Sequence, residues 1–292
     1  NATTISNKGV ELSLTWSDKI GNDWNYSVSG NIARNKNRIE DLRGGEPLVG
    51  DLVANYRITR TDNGRPIASY YVLEAIGIFQ NEAEIAASAQ KDARPGDLIY
   101  RDISGPAGKP DGFIDNFDRT FVGSYQPKFT YGFSGNVEFR NFDLSVIAYG
   151  TQGSKIYNAK KAARGSIQQR DNIEADVARN RWTPNNPNTN VPRATLSQLP
   201  ASSYFVESGD FFRLNNLTFG YTFPKDRFGK GVINNLRVYL TAQNLFTITP
   251  YSGFTPELRP SGEADKATIN QGVDINTYPT TRTFAFGVNL GF

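Results

Sequence analysis

The last ten residues of the chain, 283–292, read TFAFGVNLGF. Every second residue from Phe284 to Phe292 is Phe, Val or Leu, whereas the residues between them are Ala, Gly or Asn. This period-two alternation predicts a β-strand with one apolar face and one small or polar face. The stretch fits a soluble β-sandwich strand with its apolar face inward, and equally a barrel strand with its apolar face toward lipid.

The same alternation recurs along the chain and predicts seven strands in all. The six further segments are 10–16, 24–32, 129–139, 142–148, 212–223 and 238–243. The parity slips at Asn215 and Asn216, which predicts a β-bulge there. A length of about ten residues suits a tilted crossing of a bilayer, whereas strands of soluble proteins are usually about five or six residues long.

The connections between these segments alternate between short and long. Short connections are expected at 21–23, 140–141 and 224–236, and long ones at 36–127, 152–210 and 248–281. Outer-membrane barrels have short turns on one side and long loops on the other, whereas loops of this length argue against a compact soluble domain. Within the long connections we expect extended structure at 70–72 and 77–79, and helices at 81–91 and 155–181.

Aromatic residues at the strand ends support a membrane assignment, because interfacial girdles of barrels are aromatic. These residues are Trp16, Trp24, Phe139, Phe142, Phe223 and Phe292. The predicted fold class is therefore all-β, an antiparallel transmembrane β-barrel segment. Single-chain bacterial barrels have an even number of strands, so seven strands are expected to form part of a larger barrel. With the last residue on the short-turn side, the long loops are expected outside the cell and the C-terminus in the periplasm.

The composition excludes several kinds of chemistry. The chain of 292 residues contains no Cys, no His and no Met, which removes thiolate sites, the Ser-His-Asp triad and the commonest zinc ligand. A net charge of +3 gives no reason to expect nucleic-acid binding. The mean hydropathy of −0.49 fits a thin lipid-facing stripe averaged with three large polar loops. The missing initiator Met leads us to expect a piece of a longer protein.

An acidic segment in the first long loop is a candidate calcium site. Its second half, D-G-x-I-D-x-x-D from Asp111, follows the latter part of a calcium loop, in which Gly permits a sharp turn between carboxylates. Five residues, 106–110, are inserted before it, and the closing ligand is Asp rather than Glu. The candidate ligands are Asp102, Ser104, Asp111, Asp115 and Asp118. The alternative is an acidic turn held by Asx hydrogen bonds and neutralised by neighbouring arginines. No cofactor is otherwise required.

Aromatic residues of the other two long loops are candidate ligand contacts. They are Trp182, Tyr204, Tyr251 and Phe254. Aromatic rings with Asn and Asp neighbours suit stacking on sugars together with polar hydrogen bonds. The same rings suit the small apolar core of an ordered loop at least as well.

Eight stretches, taken in order, carry a family resemblance. They are IGIFQNEAEI at 76–85, GDLIYRD at 96–102, DGFIDNFDRTFVG at 111–123, PKFTYG at 127–132, NRWTPNNPNT at 180–189, FRLNNLTFGYTFP at 212–224, AQNLFTI at 242–248 and the terminal Phe292. With them the chain resembles the C-terminal barrel region of SusC-like TonB-dependent outer-membrane transporters. The insertion at 106–110 departs from the pattern of the family.

The resemblance implies a barrel of about 22 strands plugged by a separate domain, in the outer membrane of a Gram-negative bacterium. It implies import of oligosaccharides or peptides with energy delivered by TonB, and a SusD-like surface lipoprotein as a lid. The expected partners are that lipoprotein, the rest of the barrel with its plug, TonB, membrane lipid, and the barrel-assembly machinery. The last of these would read Phe292 as an assembly signal.

Two other functions fit the residues. A passive porin or a surface adhesin would share the barrel without energy coupling. A soluble β-rich binding or hydrolase domain would share the strands; it lacks His, although pairs of carboxylates act alone in glycosidases.

Overall fold

The computed structural model describes residues 3–53, 55–166, 172–225, 233–258 and 268–292. The strands, numbered in chain order, are β1 Thr4–Ile20, β2 Trp24–Asp41, β3 Leu48–Val49, β4 Leu52–Val53, β5 Tyr56–Arg57, β6 Thr59–Thr61, β7 Ser69–Leu73, β8 Ala75–Ile78, β9 Leu98–Tyr100, β10 Arg119–Ser124, β11 Phe129–Phe139, β12 Phe142–Gln152, β13 Lys155–Asn158, β14 Val206–Ser208, β15 Phe211–Phe223, β16 Asn235–Ile248, β17 Val273–Asp274 and β18 Thr283–Gly291. The α-helices are α1 Glu82–Ala86, α2 Ala159–Arg164 and α3 Ala175–Asn180. Two 3₁₀ helices span Asn116–Asp118 and Ser203–Phe205.

Seven long strands form one antiparallel sheet in the order β1-β2-β11-β12-β15-β16-β18. They are the seven strands that the alternation predicts. β11 has the predicted bounds, β18 ends one residue before the predicted end, and the other five extend the predicted segments at one or both ends. Residues paired across neighbouring antiparallel strands project from the same face. The register therefore decides which side chains share a surface.

One face of the sheet is apolar and open to the surroundings. A single row across five strands consists of Val137, Leu144, Phe219, Leu240 and Phe286. Leu240 is 60% exposed and Phe286 is 67% exposed. An apolar face that crosses every strand of a sheet far exceeds the patches of soluble monomers. This face is therefore the lipid-facing surface of the sheet.

The opposite face is lined by hydroxyl and amide groups that pair across the strands. The hydroxyls of Thr15 and Ser29 lie 2.9 Å apart, and Ser17 donates to Ser27 at the same distance. Arg237 and Asp143 form a matched pair of charges on this face, in which Arg237 Nε donates to Asp143 Oδ1 at 2.9 Å. This polar face fits the water-filled or plugged interior of a large barrel.

The turns and the bulge follow the local sequence. Arg140 opens the two-residue turn after β11 with φ +53°, and Gly21 opens the turn after β1 with φ +60°. The register shifts between Leu214 and Asn216 against both neighbours of β15, which confirms the predicted bulge. Trp24 and Phe139 meet beside these turns with ring centroids 4.3 Å apart, as expected of an aromatic girdle.

The three long connections fold together into small sheets at the end of the main sheet away from these turns. Strands β10-β7-β6-β3 form one sheet and β14-β13-β17 another, with the pairs β4-β5 and β8-β9 beside them. Their shared core consists of Ile58, Tyr70, Val72, Tyr157, Ala159, Ala162, Ala201, Phe205 and Val273. Because β17 belongs to the third connection and pairs in parallel with β13 of the second, the connections form one packed layer.

Three expectations about the loops need correction. The helix predicted at 155–181 is wrong: residues 155–158 form β13, because Ile156 and Tyr157 are buried in the loop core, and only α2 and α3 are helical, with 167–171 outside the described residues. The helix at 81–91 is confined to α1, which Asn81 caps by accepting from Glu84 N at 3.0 Å. The first connection begins after Asp41 rather than at 36. The pairing of β1 with β2 continues to Asp41, but both faces are polar there, so the sequence shows no alternation.

Within the described residues, none of the helices has the length and the apolar character needed to cross a membrane.

Replacing Val28 by Arg should destabilise the folded barrel by about 2–4 kcal/mol, the cost of a lipid-facing Arg near the bilayer midplane. Val28 lies on the apolar face of β2, four residues beyond the girdle residue Trp24, and is 40% exposed. The matched control is Ser29→Arg, one residue further along β2 and on the polar face. Urea titration of the complete protein folded into lipid vesicles measures the difference. An equal loss in both variants would show that the apolar face does not meet lipid.

Candidate functional site: the loop layer and the clefts beside it

A buried arginine joins the third connection to the polar face of the sheet. Arg213 of β15 is 3% exposed. Its Nε donates to Thr247 Oγ1 at 2.8 Å, its Nη1 donates to Glu257 Oε2, and its Nη2 lies 3.4 Å from Thr255 Oγ1. Tyr149, opposite Arg213 on β12, donates from its hydroxyl to Glu257 Oε1 at 2.8 Å. The chain around Glu257 is thereby held against the wall.

Two clefts flank this anchor. One, of about 680 Å³, is bounded by the rings of Tyr125, Tyr149 and Phe211, by Glu257, and by polar wall residues such as Ser134. The other, of about 970 Å³, is lined by the segment 275–281, by Val273 and by Arg213, with polar and apolar surface in about equal measure. A cleft of this size with aromatic walls and a few fixed polar groups is the usual form of a small-ligand site.

A second anchor holds the other end of the third connection. Tyr251 is 5% exposed, and its hydroxyl donates to Asp274 Oδ2 at 2.6 Å. Burial, together with the hydrogen bond to Asp274, raises the pKa of Tyr251. Next to it, Glu207 accepts from Ser252 N and Ser252 Oγ, both at 2.9 Å. The ring predicted as a ligand contact is thus an internal part of the loop layer.

Trp182, the second predicted contact, is also part of the packing. It is 9% exposed, and its Nε1 donates to Gln80 Oε1 at 2.9 Å. Its indole lies against Gly96, which has φ +93° and where an added Cβ would come within 2.5 Å of the ring. Arg193 and Asp97 close the same corner with an ion pair of 2.6 Å. This cluster explains why the stretch 180–189 is ordered despite its Asn and Pro content.

The other two predicted aromatic contacts are more accessible and lie beside α2. Phe254 is 61% exposed, with Lys160 Nζ 4.2 Å from its ring centroid. Tyr204 is half-buried, with Lys161 Nζ at 4.6 Å, and burial raises its pKa. The structure brings Tyr204, Phe254 and Tyr251 into one region and places Trp182 apart, beside α1. Ligand binding by any of the four stays a prediction.

The acidic segment is organised around a single buried carboxylate. Asp118 is fully buried, and it accepts from Ile103 N at 2.7 Å, Ser104 N at 3.1 Å and Asp115 N at 2.8 Å. Burial alone would raise its pKa, but these backbone donors lower the pKa of Asp118 below its usual value. The charge is satisfied by amides.

Three of the remaining candidate calcium ligands also accept from backbone amides, although Asp102 Oδ1 is buried without a hydrogen-bond partner among the described residues. Asp115 caps the first 3₁₀ helix by accepting from Phe117 N at 2.7 Å, Asp111 accepts from Phe113 N at 3.1 Å, and Asp102 accepts from Gly112 N at 2.8 Å. Ser104 Oγ points to Gly105 O at 3.4 Å. Among the described residues, no group of three or more His, Cys, Asp or Glu is arranged to hold a metal ion. Calcium binding by these residues stays a prediction.

The arginines expected to neutralise the acidic segment have other partners. Arg101 pairs with Glu74 at 3.1 Å, and Arg119 donates to Tyr71 O at 2.7 Å. Burial lowers the pKa of Arg119. Sequence reasoning missed the resulting face of the small sheet, where guanidinium groups stack on rings. The centroid distances are 4.7 Å for Arg60 on Tyr71, 5.5 Å for Arg119 on Tyr71 and 4.8 Å for Arg65 on Phe121. The only sequence signal was arginine recurring among β-branched and aromatic residues.

Phe292, the predicted assembly signal, follows the last residue of β18 and is 76% exposed. Its accessibility is compatible with recognition by another protein, and that role stays a prediction.

Comparisons with known proteins agree with this geometry. No family model matches the chain. It is 33% identical over its whole length to TonB-dependent receptor P3 of Formosa agariphila and 25% identical to TonB-dependent receptor SusC of Bacteroides thetaiotaomicron. It spans 29% and 27% of the length of these two relatives. The solved structure of the RagAB peptide transporter superposes on 99% of the chain and 29% of its own with a TM-score of 0.76, at 26% identity.

The lipid-facing sheet and its loop layer define a segment of a large transmembrane β-barrel. The chain is homologous over its whole length to SusC-like TonB-dependent receptors, and it corresponds to less than a third of the relatives it matches. The names of these relatives are those of receptors and transporters, and none is that of an enzyme.

Removing Glu257 should destabilise the loop layer more than removing Arg213. The reason is that the Arg213 side chain is 4% exposed, whereas that of Glu257 is 36% exposed. Glu257→Ala leaves a buried cation without its carboxylate, which we expect to cost about 3 kcal/mol or more. Arg213→Met leaves a carboxylate that water can reach, which should cost about half as much. Hydrogen exchange of the amides at 250–258 measures local opening. The reverse order of the two variants would contradict the asymmetry.

Asp118→Asn should lower the free energy of local unfolding of the acidic segment by about 2–3 kcal/mol, since hydrogen bonds to a charged acceptor are lost. The control Asp111→Asn, which is exposed and accepts one amide, should have a much smaller effect. Because the folded pKa of Asp118 is depressed, its contribution is complete above the unfolded pKa of about 3.9 and is lost as pH falls through the folded value. Hydrogen-exchange protection of the Ile103 and Ser104 amides, measured as a function of pH, reports this loss. Protection that does not change with pH would contradict the role given to the Asp118 carboxylate.

Proposed function

We propose that the chain forms part of the wall and outer face of an active importer in the outer membrane of a Gram-negative bacterium, energised by TonB. The observation that carries this is the two-faced seven-stranded sheet, apolar on one side and hydroxyl- and amide-lined on the other, with an ordered loop layer at one end. Homology to TonB-dependent receptors over the whole chain supports energy coupling.

In this proposal the loop layer is extracellular and the short turns, together with Phe292, are periplasmic. Barrels of this kind have short periplasmic turns and long outer loops, and all three long connections of the chain meet at the same end of the sheet. A SusD-like lipoprotein would cover the loop layer. The plug domain, TonB, the remaining strands and the barrel-assembly machinery complete the partners, and nucleic acid has no place among them.

The transported ligand in this proposal is an oligosaccharide or a peptide that passes the cleft beside Tyr149 and Phe211. The rings offer stacking surfaces, and Ser134 and Glu257 offer polar contacts. The structural similarity of the chain to RagAB, a peptide transporter, favours a peptide over an oligosaccharide as the transported ligand. Phe254 and Tyr204 remain accessible for further contacts, whereas Tyr251 and Trp182 are proposed to keep the layer rigid.

Uptake of labelled peptides and oligosaccharides by the host bacterium tests this proposal. Deleting the gene of the complete protein should abolish uptake of one of the two classes, and removing TonB function should have the same effect. Uptake that persists without TonB would favour the alternative of a passive porin. Adhesion without uptake would favour a surface adhesin.

A pair of variants tests the cleft in the same assay. Ser134→Trp places an indole in the cleft, and we expect uptake and binding to fall about tenfold or more, a change of about 1.4 kcal/mol or more in binding free energy. Ser145→Trp adds the same ring to the same polar face at a residue that does not line the cleft, and should behave like the unmodified protein. Equal behaviour of both variants would remove the cleft from the transport path.

A further inference from the structure

The β1–β2 hairpin carries a basic patch on its outer face, above the lipid-facing residues. The patch consists of Lys8, Arg34, Lys36 and Arg38, all of them exposed. β2 runs to Asp41 and stays paired with β1 along this stretch, so the patch lies on regular sheet whose register fixes the direction of each side chain.

The register places the patch on the lipid-facing side. Lower in the hairpin the outer face holds the pairs Trp16–Val28 and Leu12–Ile32. Residues on one face recur at every second position. Away from the turn, the next pairs on that face are Val10–Arg34, Lys8–Lys36 and Ser6–Arg38. The outward positions therefore change from apolar to basic within a single step of the ladder.

The height of this change matches the far boundary of the hydrocarbon layer. Arg34 lies ten residues beyond Trp24, the girdle residue at the first turn. At about 3.3 Å per residue and a tilt of about 35–45°, ten residues rise about 25 Å, the height of the apolar band of outer-membrane barrels. Lys8 and Lys36 stand one step above it, at the level of lipid headgroups.

The charges of the patch are largely uncompensated. Glu40 pairs with Arg38 at 3.4 Å and accepts from Ser6 Oγ at 2.6 Å. Lys8, Arg34 and Lys36 form no ion pair with any residue that the structure describes. Thr130 of β11 pairs with Ala33, so the next outward position on β11, level with Arg34, is Phe129, which pairs with Gln152 of β12. Both residues are uncharged, and neither β11 nor β12 contains Lys or Arg.

We propose that this patch binds the phosphate of a glycolipid headgroup in the outer leaflet, of the lipid A type. Guanidinium and ammonium groups are the usual ligands of phosphate, and the patch continues the lipid-facing surface directly. An acidic loop of another protein would have to lie in the headgroup layer to reach it. The inference rests on the membrane placement proposed above, and on that placement alone.

Native mass spectrometry of the complete protein in detergent, titrated with monophosphorylated lipid A, tests the inference. The test variant is Lys8→Gln/Arg34→Gln/Lys36→Gln, and the control Arg43→Gln/Lys109→Gln/Arg179→Gln removes the same charge from exposed loop residues. Each basic residue near an anionic membrane surface contributes on the order of fivefold in binding, so the loss of three should weaken the binding of lipid A about a hundredfold. The control should bind as the unmodified protein does, and added salt should weaken binding only where the patch is intact.

Unchanged lipid A binding in the test variant would overturn the proposal, and so would equal binding of phosphatidylglycerol or of a dephosphorylated lipid A. If the triple variant does not fold, the single reversal Lys36→Glu on the same face replaces it with the same expected direction. A barrel that keeps its heat-dependent mobility and its uptake but shows no selective lipid binding would refute this inference and leave the proposed function standing.

Discussion

The antiparallel hydrogen-bond ladder of the seven long strands is the constraint on which the rest of the structure depends. In hydrocarbon every backbone N–H and C=O must find a partner within the protein. A register slip of one residue would turn the whole set of side chains to the wrong face. The row from Val137 to Phe286 faces outward only because each strand is paired in one register. The bulge at Asn215 absorbs an extra residue, and beyond it Leu214 still pairs with Ala148 on the apolar face.

The wall and the loop layer are fixed to each other by side chains rather than by the ladder. Arg213 stands on the polar face at the end of β15, and it holds Glu257 from a connection that is distant in sequence. The hydrogen bond from Tyr251 to Asp274 joins the start of that connection to β17, and β17 in turn pairs with β13 of the second connection. Because each donor and acceptor is buried or half-buried, opening the layer leaves polar groups unpaired. The two clefts that share Glu257 are consequently parts of an ordered surface.

The long strands could be predicted from sequence because period two is a local property that lipid on one face makes strict. The loops could not be predicted in the same way. Residues 155–158 directly precede the helix-favouring residues of α2, and tertiary contacts of Ile156 and Tyr157 make them a strand. Trp182 and Tyr251 read as exposed aromatic rings, since nothing nearby in sequence reveals Gln80 or Asp274 as their partners. The acidic segment was ambiguous because a calcium loop and an Asx-held turn use the same residue types.

Charge position on the β1–β2 hairpin carries information that hydropathy averages lose. Its outer face holds Asp18 near the first turn, then only uncharged residues up to Val10, then Lys8. Its inner face keeps amide and hydroxyl groups along most of its length, as at Ser13 and Asn31. Charges on the outer face therefore occur only at the two ends of the span, where water or headgroups can solvate them. Because the pairing fixes the face of every residue, two charged positions delimit the hydrocarbon layer, and a polar average over the whole chain is no argument against a membrane wall.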